Sequence, residues 1–80
     1  MITQQEAEAL AQSTIQDYVA KCGGDSAEDV ANVLMKLASM CGLGMCATVG
    51  HNEAVARLEG TAAYIAKSQE GVNWTMERAR

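Results

Sequence analysis

The stretch 30-VANVLMKLASMCGLGMCATVGHN-52 decides the fold, because Lys36 is its only formally charged residue. Val30, Leu34, Leu37, Cys41, Gly44 and Thr48 step by four and three residues, the spacing that keeps one stripe of a helix against a neighbour. Val33, Met40, Leu43 and Met45 widen the stripe until most of the circumference is apolar. Such a helix belongs in a protein core or in a membrane. A span needs about 20 apolar residues. The uncharged helical window here, residues 37–49, is shorter than that and is diluted by Ala, Gly, Ser and Thr, so a core helix is expected and no membrane.

Ala38, Gly42, Cys46 and Gly50 recur four apart on this helix. A strip of small side chains lets two helix backbones approach closely, either within the fold or between the copies of a homodimer. Gly42 and Gly44 each cost about 1 kcal/mol against alanine, which leaves open whether the helix kinks there. Met35, Met40 and Met45, five apart, spiral around it as adaptable filler.

Working outward, Thr3 and Glu6 form a Thr-x-x-Glu capping box, followed by Ala7, Ala11, Ile15, Tyr18 and Cys22 at helical spacing, with Leu10 and Val19 widening that stripe. Gly23-Gly24 stops this first helix. Asp25 or Ser26 starts the central one, with Glu28 and Asp29 in its first turn. Gly50 ends it, and Asn52 is expected to cap a third helix carrying Val55, Leu58, Ala62 and Ile65 on a second heptad-like seam. Gly71 marks its end. The reading is a single all-α domain over 1–80, a small three-helix bundle with helices at about 4–22, 26–49 and 52–70. Helices two and three form an antiparallel hairpin. Residues 71–80 form a short arm carrying Trp74.

Composition limits what this bundle can do. Hydrophobic residues are 49% of the chain, but fourteen are alanine, none is phenylalanine, and the aromatics are Tyr18, Tyr64 and Trp74. Eighty residues built this way hold no deep cavity walled by large side chains, and association is attractive at this size. The net charge is −4. Residues 1–29 contain Glu6, Glu8, Asp17, Asp25, Glu28 and Asp29 against one base, Lys21. That balance argues against direct nucleic-acid binding, which needs clustered cations. The N-terminus lacks a signal peptide's basic region, and three cysteines are an odd number without framework spacing. A reducing, cytoplasmic setting is expected.

Candidate chemistry is sparse. Cys22, Cys41, Cys46 and His51 include the ligand types of a zinc site, but residues five apart diverge by about 140° on a helix. Neither a metal nor a cofactor is expected. His51 is the sole histidine, with Glu53 its nearest acid, which falls short of a nucleophile, base and orienting group. The chain is therefore read as a non-enzyme.

Gly23-Gly24-Asp25-Ser26, leading into an apolar helix, resembles the attachment motif of acyl and peptidyl carrier proteins. Asp17-Tyr18 is similar to the acidic-aromatic stretch that precedes it. That resemblance implies phosphopantetheine attachment at Ser26, with Asp25 as its neighbour. Read as local structure, the same residues end one helix and cap the next through Ser26 and Asp29.

The favoured reading is a protein that acts by binding another protein. Glu6, Asp17, Asp25, Glu28 and Asp29 would meet a basic groove, imitating a phosphate row. Trp74, Arg78 and Arg80 are candidate anchors, being of the types enriched at binding hot spots. In size, acidity and lack of catalytic residues the chain is similar in type to small phage-encoded inhibitors of host defence, such as anti-CRISPR proteins. This implies a nucleic-acid-binding complex as partner.

Overall fold

The computed structural model describes residues 1–68, so the arm at 71–80, with Trp74, Arg78 and Arg80, lies outside the described residues. Three helices account for nearly all of the rest: α1 (Gln4–Cys22), α2 (Ala27–Val49) and α3 (His51–Lys67). No strand occurs among the described residues, and the chain is all-α. Two compact units divide within α2, one holding residues 1–35 and the other beginning at Lys36.

In the first unit, Thr3 Oγ1 accepts from the Glu6 backbone N–H at 3.1 Å, and Glu6 Oε1 accepts from the Thr3 N–H at 2.9 Å. This reciprocal pair satisfies two backbone donors that the helix itself leaves orphaned. At the other end Gly23 takes a left-handed conformation (φ 76°, ψ 20°) and donates its N–H to the Val19 carbonyl, where a side chain would be strained. The unit's contact closes on Val19, 2% exposed, and Val30. Ile15, Tyr18, Val33 and Leu34 are half-buried around them. Leu10, expected on the same stripe, is 61% exposed. Nine residues from Val19, it is turned by about 180° on a helix and points away.

The second unit is a helical hairpin reversed by one residue. Gly50 (φ 89°, ψ 165°) lies between α2 and α3, donating its N–H to Cys46 O at 3.0 Å and accepting from Ala54 N–H at 3.0 Å. This backbone region is essentially restricted to glycine. Asn52 is therefore not the cap of α3, because Gly50 takes that place without a side-chain bond and Asn52 lies in the first turn. The helix ends at Lys67, with Ser68 rather than Gly71 at the C-cap position. α2 starts at Ala27 and continues through Gly42 and Gly44 unbroken.

Between the hairpin's helices the backbones run close. Gly42 is buried, and a methyl built on it would stand 3.0 Å from Leu58 Cδ1. Nearer the reversal on α3, Ala54 is 1% exposed. Met45 and Cys46 are half-buried beside this contact, while Ala38 and Gly50, the ends of the small-residue strip, are exposed. Gly44 has no neighbouring atom within 4 Å of an added methyl. The two glycines therefore answer differently to substitution. Gly42→Leu drives four carbons into the closest approach of α2 and α3 and should abolish the hairpin's cooperative unfolding. Gly44→Ala should add about 1 kcal/mol through helix propensity alone. Circular dichroism during urea titration checks both, and a Gly42→Leu protein as stable as the parent would contradict the packing described.

Candidate binding surface

Three of the five singled-out acids come together at the α1–α2 turn. Ser26 Oγ accepts from the Asp29 N–H at 3.0 Å, and Asp29 Oδ2 accepts from the Asp25 N–H at 3.3 Å. These bonds fix the turn because each satisfies a donor at the start of α2. Gly24 makes room for them: a methyl there would approach Asp29 Cβ to 2.7 Å. Asp25, Glu28 and Asp29 are all exposed, forming an acidic corner held by a cap. Charge at this end of α2 is also favoured by the helix dipole. Glu6 does not join it. Its carboxylate serves the capping box at the opposite end of α1, about 24 Å along the helix from Cys22 at 1.5 Å per residue. Asp17 is exposed partway along α1.

Ser26 stands exposed directly before α2, with its hydroxyl oxygen engaged by the Asp29 N–H. The cysteines are free thiols, Cys22 and Cys41 exposed and Cys46 half-buried. No three His, Cys, Asp or Glu side chains among the described residues are grouped to hold a metal ion.

The hairpin supplies a second kind of surface, which the sequence reading missed. At 100° per residue, Leu43 and Ala47 of α2 turn to the same side of the hairpin as Val55, Ala62 and Ala66 of α3. All of them are exposed, Leu43 by 61% and Val55 by 51%. Of the seam expected to be packed, Leu58 reaches over Gly42 yet stays 40% exposed, while Val55, Ala62 and Ile65 are exposed, Ile65 by 65%. Only the neighbouring Ala54 is fully enclosed. The other side of the hairpin carries polar groups beside Cys41 and Tyr64. It holds Thr48, whose Oγ1 donates to Met45 O at 2.9 Å, and the Glu53–Arg57 ion pair at 2.9 Å. By length and composition alone α2 is also apolar enough to cross a membrane.

No family model matches the chain, and neither a curated protein nor a solved structure is significantly similar to it.

One ionisable group is tuned by the first unit's packing. The Tyr18 hydroxyl donates to Val33 O at 2.6 Å, and its pKa is raised from 10.0, first by desolvation and then by the adjacent Cys22. A raised acid pKa means that the folded chain holds this proton after the unfolded chain has lost it. The associated stability is complete below pH 10 and falls away as pH rises from 10 through the folded value. Tyr18→Phe should therefore be less sensitive to pH above 10 than the parent. Thermal unfolding followed from pH 8 to 11 tests this, and parallel curves for the two proteins would refute it.

Proposed function

We propose that this protein acts by binding a protein partner, with the acidic corner of Asp25, Glu28 and Asp29 as its contact, and not by catalysis. The observation that supports this is the capping network itself. It fixes the backbone that carries three exposed carboxylates within about one turn, and bonds that of Asp29 directly, so a cationic partner meets a defined charge pattern instead of a floppy acidic loop. Such a corner complements a basic groove, including one that otherwise receives phosphate. In its finer form, the reading is of a small inhibitor of a nucleic-acid-binding host-defence complex, of the anti-CRISPR type, acting in the cytoplasm.

Asp25→Lys with Glu28→Lys reverses the charge and leaves the Ser26–Asp29 cap bonds in place. Capture of the partner from host lysate should fall by about tenfold or more, and the remaining binding should lose its dependence on salt. Undiminished capture by this variant would reject the acidic corner as the contact.

The exposed position of Ser26 at the start of α2 supports one other reading, a carrier protein with a phosphopantetheine arm. Intact mass after co-expression with a phosphopantetheinyl transferase distinguishes the two. The binding-protein reading expects unmodified chain, and quantitative modification at Ser26 would replace it.

A further inference from the structure

We propose that the apolar face of the α2–α3 hairpin is a self-association surface, on which two copies of the chain close to form a four-helix core. The need for a cover follows from what the hairpin encloses. Gly42 and Ala54 are its only buried residues among those described. Around them the contact adds only the half-buried Met45 and Cys46 and the partly covered Leu58, whereas helices in proteins owe most of their stability to packing an apolar face. Leu43, Val55 and Ile65 stay more than half exposed, and Leu58, which reaches over Gly42, is still 40% exposed. A cover required for stability must be present whenever the chain folds, and a second copy always is.

The dimensions agree. From Lys36 to Val49 the face is about 21 Å long, and the outward half of a helix about 5–6 Å in radius presents roughly 350–400 Å² over that length. Two helices offer about 700–800 Å², close to the roughly 800 Å² per partner of a standard interface. Charge permits the pairing as well. The charged residues bordering the face are Lys36 on α2 and Glu59 on α3, of opposite sign. Ala47, Ala62 and Ala66 lie beside Leu43 and Val55, so large side chains of one copy have small ones to enter on the other, as a two-fold interface requires. A lipid surface fits less well. The face lacks the Lys- and Arg-rich border of interfacial helices, and the chain is acidic. The inference uses none of the acidic corner and stands apart from the function proposed above.

Sedimentation equilibrium of the full chain, together with thermal unfolding over a concentration series, tests it. The expected mass is twice the 8.5 kDa of one chain, and the midpoint should rise with concentration because folding is linked to association. Ala62→Glu, at an exposed position of a single copy, buries an unpaired charge in the pair and should weaken association by at least about a hundredfold. Ala63→Glu, on the side of α3 turned away from α2, should leave it unchanged. A helical monomer at all concentrations, a dimer indifferent to Ala62→Glu, or a monomer that co-sediments with phospholipid vesicles would overturn the proposal. Each of these leaves the capture experiment with Asp25→Lys and Glu28→Lys to be decided by itself.

Discussion

Where α2 meets α3, Gly42 offers no side chain and Ala54 offers one methyl, and Leu58 leans over the glycine. That short separation governs the rest of the hairpin. Helices so close can be joined by one residue, which is what Gly50 does. What lies between them is Gly42 and Ala54, with Leu58 laid across the glycine. Leu43 and Val55 lie on the flank, and a contact centred on the smallest residues leaves an exposed apolar side. Close approach within the hairpin and exposure outside it are two results of the same packing.

The first unit is held differently. Its apolar contact is modest, centred on Val19 and Val30. Much of its definition comes from hydrogen bonds at helix ends: the Thr3–Glu6 box, the left-handed Gly23 and the Ser26–Asp29 cap. Each of these employs a short polar or acidic side chain at low cost, since exposed capping groups keep their contact with water. The charge left over from capping is what gives this unit a surface of recognisable sign. The chain thus carries a capped cluster of carboxylates in one unit and a flank of uncovered aliphatics in the other.

Most of the helix pattern was legible in the sequence because its signals are local. Thr3 with Glu6, Gly23 after the first stripe, and Ser26 with Asp29 each act within four residues. Asn52 signals a start of α3 that the fold does not use, because a capping side chain is unnecessary where a glycine with positive φ reverses the chain. Periodicity placed Val55, Leu58, Ala62 and Ile65 on one side of a helix correctly, but spacing carries no information on whether another element covers that side. Leu10 shows the same limit in α1, where a broad stripe was drawn through residues that face opposite directions. Of the acids, their number was readable and their grouping was not. Glu6 is separated from Asp25, Glu28 and Asp29 by the length of a helix, which only the three-dimensional path reveals.

Gly50 also fixes the register of the hairpin. A longer connection could absorb an added or missing residue as slack, whereas a one-residue reversal has none. Inserting a residue beside it would turn α3 by about 100° relative to α2, taking Ala54 out of the contact and bringing bulkier neighbours toward Gly42. Elsewhere the ends of a helix can lengthen or fray without altering what faces what. At this position chain length itself carries structural information, so substitutions along the hairpin are separable in their effects while a change of length is felt by every residue of α3 at once.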